Sequence, residues 1–308
     1  MIVVCGEALI DVVADGDGTF RPMPGGGPFN TAVALARLEV PTSFLGRLST
    51  DPFGRLLARR LAEDGVGLSL TSHGPEPTTL AFAEVNSDGL ADYQFYFEAT
   101  SAPNLTPAML PSRLDEKVTA LHVGTLGLML EPIASTLFHL VERESAKRLV
   151  MIDPNVRPAQ LTDPDAYRAR IKTLMAQSTI VKASDADVAW LFPGADLEAA
   201  ADEILASGAH LVVVTLGAQG AVGVSRGIKK RVSAPSVEVV DTIGAGDAFG
   251  AALLAWLHDH GALKTDLSLG AEDLESALEF ACLVASLTCT RAGAEPPRRD
   301  ELSLDGGT

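Results

Sequence analysis

The chain has 308 residues, 47% of them apolar and only 5% aromatic, and a formal net charge of −16. Such acidity speaks against a nucleic-acid partner, whose phosphates need a basic surface. Three cysteines without a Cys-x-x-Cys pair and six histidines without ligand spacing speak against a disulfide framework and a zinc site. The core must be aliphatic and alanine-rich, as suits helices stacked on a sheet.

The first apolar run, Ile2–Cys5, has no basic segment before it and reads as a strand, not a signal peptide. Further strands are predicted at 43–45, 121–123, 149–152, 180–182 and Leu211–Thr215. Most are apolar throughout, the pattern of strands covered on both faces of a parallel sheet. Helices are predicted near 28–38, 52–64, 131–145, 165–176 and 196–207, then near 246–259 and 271–290 without a strand between them. Alternation of this kind implies a βαβ sheet with helices on both faces. Cys282 and Cys289 lie seven apart and share one helix face, as small core residues of a reducing compartment do.

One segment departs from that alternation. Residues 79–85 and 93–98 alternate in polarity around Asn86-Ser87-Asp88-Gly89, a hairpin turn signal. Tyr93, Phe95 and Phe97 share one face of it. With residues 12–22 the hairpin can form a small sheet standing over the end of the main one, either as a lid or as a surface ornament. There is no internal repeat, the tail after Pro297 looks frayed, and no apolar stretch is long enough to span a membrane. The expected location is the cytoplasm.

Ligands of doubly wound sheets bind beyond the carboxyl ends of the strands. Gly6, Asp11, Asp153-Pro154-Asn155, Ser184 and Thr215-Leu216-Gly217 all follow strands, too many for helix caps alone. The strongest local signal is Asp241-Thr242-Ile243-Gly244-Ala245-Gly246-Asp247 ahead of an apolar helix. Gly244, Ala245 and Gly246 leave backbone N–H groups uncovered at a helix start, where an anion is favoured. Phosphoryl transfer needs such donors, and Asp247 can accept the proton of an attacking hydroxyl. Spacing alone leaves Asp247 open between that role and a first-turn acid that merely suits the helix dipole. A second run, Gly25-Gly26-Gly27-Pro28-Phe29-Asn30, lets a ligand approach the backbone closely as the next helix opens. Neither a dinucleotide fingerprint nor a Walker A pair is present, which sets aside a nicotinamide oxidoreductase.

These two glycine motifs, in this order and separation, resemble the two signatures of the ribokinase-like, or phosphofructokinase-B, carbohydrate kinases. The likeness runs from Cys5 to Ala294. Gly6-Glu7-Ala8-Leu9-Ile10-Asp11, Asp51-Pro52-Phe53-Gly54, Asp153-Pro154-Asn155 with Arg157, and Val214-Thr215-Leu216-Gly217 are most similar to bacterial fructokinases. The resemblance implies one ribokinase-like domain over 1–308, a three-layer α/β/α sandwich with a mainly parallel sheet and a small β lid from about 12–22 and 79–98. It implies an ATP-dependent kinase of a small sugar, D-fructose first, with ribose, a nucleoside or 2-keto-3-deoxygluconate as alternatives. A non-catalytic sugar-binding regulator on the same fold is the remaining alternative.

By the same resemblance, Asp11, Gly26, Gly27, Asn30, Phe97 and Arg157 would bind the sugar, and Asp247 would be the base beside an anion hole of Gly244, Ala245 and Gly246. Lys182, Ser184, Asp187, Thr215, Gly217, Gly220, Gly244 and Gly246 would line ATP, with magnesium reached by Asp187 through water. A potassium-like cation would take the Asp241 carboxylate and the backbone of Ile243, Thr288, Arg291 and Gly293. Lids of this family often pair in homodimers. Two departures stand out. Ser184-Asp185-Ala186-Asp187 occupies the place of the family's Asn-x-x-Glu, and Glu98 follows Phe97 where fructokinases often carry an arginine. An acidic lid residue speaks against anionic substrates.

Overall fold

The computed structural model describes residues 1–14, 19–85 and 91–303. The chain begins β1 (Ile2–Cys5), β2 (Leu9–Ala14), β3 (Phe20–Gly25), α1 (Gly27–Arg37), β4 (Thr42–Leu45), β5 (Arg47–Ser49) and α2 (Pro52–Glu63). It continues β6 (Ser72–Gly74), β7 (Leu80–Val85), β8 (Ala91–Tyr96), β9 (Ala120–Gly124), α3 (Ile133–Glu144), β10 (Leu149–Asp153) and α4 (Pro164–Ala176). It ends β11 (Ile180–Ser184), α5 (Asp185–Leu191), α6 (Leu197–Ser207), β12 (Leu211–Thr215), β13 (Ala221–Ser225), β14 (Ile228–Val232), α7 (Ala245–Asp259) and α8 (Ala271–Cys289).

Eight strands form the main sheet in the order β14-β13-β12-β11-β10-β9-β1-β4. The six from β12 to β4 run parallel, while β13 and β14 add an antiparallel edge. Successive side chains enter opposite cores, as the strand period requires. Ile2, Val4, Leu149, Met151 and Ile180 pack with α1, α2, α7 and α8. Val3, Cys5, Val150, Ile152 and Val181 pack with α3, α4, α5 and α6. Hence the continuous apolar runs: no strand residue in the middle of this sheet meets water.

α7 is buried all the way round from Ala248 to Leu257, as a helix apolar on every face must be. Its N-terminus is therefore a rigid mount. Each buried Leu or Phe contributes about 1.5–3 kcal/mol, so the helix cannot shift without exposing several of them.

A second sheet has the order β3-β2-β7-β8. β2 pairs antiparallel with β3 and parallel with β7, and β7 pairs antiparallel with β8. The expected small sheet thus exists, with β2 and β3 reaching beyond the predicted 12–22 and β7 and β8 lying within the predicted 79–98, while its turn residues Asn86 to Gly89 lie outside the described residues. Asp11 belongs to this sheet and not to the loop after β1. The tail is not frayed through residue 302: Arg299 donates to the Leu38 carbonyl and pairs with Asp259, and Arg298 pairs with Asp64. No helix of the described residues is long and apolar enough to cross a membrane.

Candidate active site

Two adjoining cavities open where the parallel strands end. The larger, about 770 Å³, is lined from β2 (Leu9, Asp11, Val13), the glycine turn (Gly26, Gly27, Asn30), Phe95 of β8, and the ends of β10 and β11 (Asp153, Asn155, Arg157, Lys182, Ser184, Asp187). Asp241 to Gly244, Gly246 and Asp247 close it. The smaller, about 500 Å³, lies between Thr215, Gly217, Gly220, residues 234–237 and the helices α7 and α8, where Phe249, Cys282, Ser286 and Cys289 line it. Thr215, Val239, Thr242 and Gly246 line both. Gly246 therefore stands at the junction, and Asp247 next to it lines the larger cavity.

Gly244 precedes α7 in the left-handed region at φ 76°, and a Cβ there would stand 2.5 Å from the Ala294 Cβ. Only glycine tolerates both. No side chain caps α7, so its first turn presents bare N–H groups to the cavity. The Ala245 N–H is partly taken by the Thr242 carbonyl at 3.3 Å, which leaves Gly246 as the freer donor of the expected anion hole.

Asp247 accepts from Asn30 Nδ2 at 2.9 Å. Burial pushes its carboxyl up to about 7, with Asp153 and Glu7 adding to the rise and Asn30 and Lys182 opposing it. Asp11 is likewise pushed up to about 7, by burial and then by Glu7 and Asp241. Gly25 has no room for a side chain, because a Cβ would lie 1.9 Å from Asp11 Oδ2. Glu7, absent from the expected set, sits beneath both aspartates and accepts from the Thr125 hydroxyl and from Gly127 N at 2.8 Å. Thr125 and Asn155 hold φ of 54° and 41°, strained conformations flanking the cavity.

Lys182 and Asp153 form a buried ion pair of 2.5 Å. Burial lowers the Lys182 ammonium, but Asp153 outweighs it, with Asp247 and Asp187 adding to the effect, so it is held charged. Asp187 serves as the third residue of a capping box: Ser184 N and Oγ donate to its Oδ2, and Val156 N donates to Oδ1 at 2.7 Å. The Ser184/Asp187 departure thus makes a tight helix start, and the carboxylate keeps only its spare lone pairs.

The Asp241 carboxylate accepts from Ile243 N and from Gly293 N at 2.8 Å, joining the two expected cation loops. The Thr288 and Gly293 carbonyls each accept one backbone N–H, from Arg291 and Glu295, and retain a second lone pair. The Arg291 side chain turns away to Glu301.

The structure corrects two of the expected contacts. Phe95 and Phe97, on the same face, both pack partly buried against the core beside α3 to α6, but only Phe95 lines the cavity. Glu98 is exposed and off the cavity, so it says nothing about substrate charge. That information comes from the lining itself: Glu7, Asp11, Asp153, Asp187, Asp241 and Asp247 against Arg157 and Lys182. Arg157 already donates to Asn155 Oδ1 at 2.6 Å. An acceptor entering this lining meets an acidic wall rich in hydrogen-bond acceptors, which suits a neutral polyol.

A family model described as pfkB family carbohydrate kinase matches residues 1–301. A fructokinase from Rhizobium leguminosarum bv. trifolii is 42% identical over 261 residues, covering 83% of this chain and 79% of its own length. The crystal structure of a fructokinase with bound ATP from Xylella fastidiosa superposes with a TM-score of 0.91 at 28% identity, covering 98% of this chain and 97% of that one. A double mutant of a Vibrio cholerae fructokinase, in fructose, ADP and potassium ion bound form, gives 0.85 at 28% identity, covering 95% and 93%.

Proposed function

The chain belongs to the pfkB family of carbohydrate kinases, and on that premise we propose that it transfers the γ-phosphoryl group of ATP to D-fructose. The observation that carries the proposal is the place of Asp247: a carboxylate poised near neutrality in a polar cavity, next to its junction with a nucleotide-sized one and beside uncapped helix N–H groups.

Asp11 and Asn30 accept from and donate to the sugar hydroxyls, with Gly26 and Gly27 giving close backbone approach. The hydroxyl left at the junction gives its proton to Asp247 as its oxygen bonds to the γ-phosphorus. The bond from that phosphorus to the bridging oxygen breaks, and ADP leaves with the electron pair. Negative charge on the moving group meets the N–H groups around Gly246 and the Lys182 ammonium, which would stand 3.3 Å from a Cβ on Gly246. Thr215, Gly217 and Gly220 run along the nucleotide, whose base lies against α7 and α8.

Among the described residues no group of three or more His, Cys, Asp or Glu could hold a metal ion directly. The spare lone pairs of Asp187 fit a magnesium ion held by phosphates and water, which neutralises phosphate charge when bound. The joined Asp241 and Gly293 loops suit a potassium-like ion behind the anion hole. The outer face of the second sheet carries the aromatic ladder Phe20–Phe82–Tyr96, with ring centroids 5.9 and 5.4 Å apart and Phe20 and Tyr96 half exposed. That ladder supports pairing of two lids in a homodimer.

The test is coupled ADP release with MgATP over fructose, ribose, nucleosides and 2-keto-3-deoxygluconate. Fructose should give the highest kcat/KM. A ten-fold preference for another acceptor would replace fructose, and calorimetric sugar binding without any transfer would replace the kinase reading by a sugar-binding regulator.

A further inference from the structure

β9, β10 and β11 send Ala120, Met151 and Ile180 into the core beneath α1 and α7. Side chains two residues on share that face, so His122, Asp153 and Lys182 all lie on the face under α7, Asp153 level with Lys182 and His122 one step behind, level with Met151. All three are at most 4% exposed. Asp153 Oδ2 holds Lys182 Nζ, while Asp153 Oδ1 is buried and has no hydrogen-bond partner among the described residues. A pair kept for stability alone would satisfy both oxygens, since an orphaned buried acceptor costs about 1–3 kcal/mol, and buried ion pairs add little net stability.

The Lys182 charge also feels Asp187 and Asp247. Asp187 has both oxygens engaged by Ser184 and Val156. Asp247 is therefore the competing partner, accepting a single side-chain bond, from Asn30. An ammonium bound to Asp247 would occupy the lone pair that must take the acceptor's proton.

We infer that Asp153 is a positioning residue for phosphoryl transfer: it holds the Lys182 ammonium from the strand side, aimed at the start of α7 and kept off the Asp247 carboxylate. The inference rests on the reading of Asp247 as base. Charged groups facing Asp247 are Glu7 from the turn after β1, Asp11 from β2, Asp153 and Arg157 from β10 and the loop after it, Lys182 and Asp187 from β11 and α5, and Asp241 from the loop before α7. His122 takes no part near neutrality, because burial and then Lys182 push it down to about 3.

A double-mutant cycle tests this. Asp153→Asn should lower kcat about 100-fold, leave the sugar KM within about two-fold, and move the acid limb of the pH profile to lower pH. Lys182→Met should lower kcat similarly, and the double variant should be no slower than Lys182→Met alone, because Asp153 acts through the lysine. Asp153→Glu, which keeps the charge, should regain at least about ten-fold of the lost rate, and it also serves if Asp153→Asn does not fold. Losses that multiply in the double variant, an Asp153→Asn enzyme near wild-type rate with an unmoved limb, or a Glu variant as slow as the Asn variant would each overturn the inference. Carbon-13 titration of the Asp247 carboxyl in the protein without nucleotide separates it from the kinase reading. A wild type that phosphorylates nothing ends that reading, whereas an Asp247 titration unmoved by Asp153→Asn ends this one.

Discussion

Asn30 Nδ2 donates to Asp247 Oδ2 across 217 residues of sequence, and this one bond joins the glycine turn before α1 to the first turn of α7. In the proposed function it ties the half of the site that would read a sugar to the half that would move a phosphoryl group. It also leaves the second Asp247 oxygen free for a proton. Asp247→Asn should keep that scaffold and lose the base, lowering kcat by roughly 10²–10⁴ with sugar affinity by calorimetry unchanged. Near-full turnover in that variant would remove Asp247 from the mechanism.

Activity should rise with pH through about 7. Asp247 is pushed up to about 7 by burial, and its deprotonated form is the one that accepts a proton. Asp11, at a similar value, titrates in the same range, so the acid limb of kcat/KM reports the pair and not one residue. Asn30→Ala removes a bond that favours the charged carboxylate and should move the limb to higher pH. A limb that stays near pH 4 would show Asp247 ionised throughout.

Stability should carry the opposite sign. A carboxyl whose folded pKa lies above its unfolded value stabilises the fold below the unfolded pKa near 4, and that contribution is lost as pH rises through about 7. Asp247→Asn should therefore raise Tm at pH 8 by a few degrees, at about 2 °C per kcal/mol for a chain of this size, and leave it unchanged at pH 4. Calorimetric scans at the two pH values decide it.

Gly244→Ala should lower both stability and turnover. The left-handed φ of 76° costs an alanine about 1–2 kcal/mol, and its Cβ would collide with Ala294. Relief must come from moving the first turn of α7, which carries the donors and the base. Turnover should fall further than the Tm shift alone explains, and a variant with wild-type kcat would show that the turn tolerates displacement.

Phe95 and Phe97 should separate in their effect on KM. Phe95→Ala should raise the fructose KM about ten-fold, for loss of one aromatic contact of about 1.4 kcal/mol, and also lower Tm, because Phe95 packs against the same core. Phe97→Ala should lower Tm and leave KM alone, because Phe97 packs against the core and is absent from the cavity lining. Steady-state kinetics beside thermal scans would expose a reversed assignment.

The main sheet was legible because its strands are buried on both faces and so read as apolar runs, with bounds within two residues of those observed. The antiparallel edge was not, since β14 reads Ile-Lys-Lys-Arg-Val with only Val232 fully buried, and an edge strand needs no apolar run. The seven-residue α5 was too short to show a helical period. In the site, Asp247, Asn30 and the glycine turns were readable because each opens a helix. The role of Glu7 and the pairing of Asp153 with Lys182 were not, although Asp153 and Lys182 are both named from the sequence, because such contacts arise only when neighbouring strands align. Phe95 and Phe97 share a face in any strand, so only the sheet's tilt over the cavity decides which one reaches it.

β2 carries Asp11 on a strand that is hydrogen-bonded to β3 on one side and to β7 on the other. In the proposed function the sugar's principal anchor is thus part of the roof, not of the floor on which the phosphates would rest. An acceptor that docks on Asp11 fastens the roof to itself, whereas water, too small to span Asp11 and Asp247, fastens nothing. The acceptor is then also the latch, and idle ATP hydrolysis is expected to stay slow until the sugar has bound.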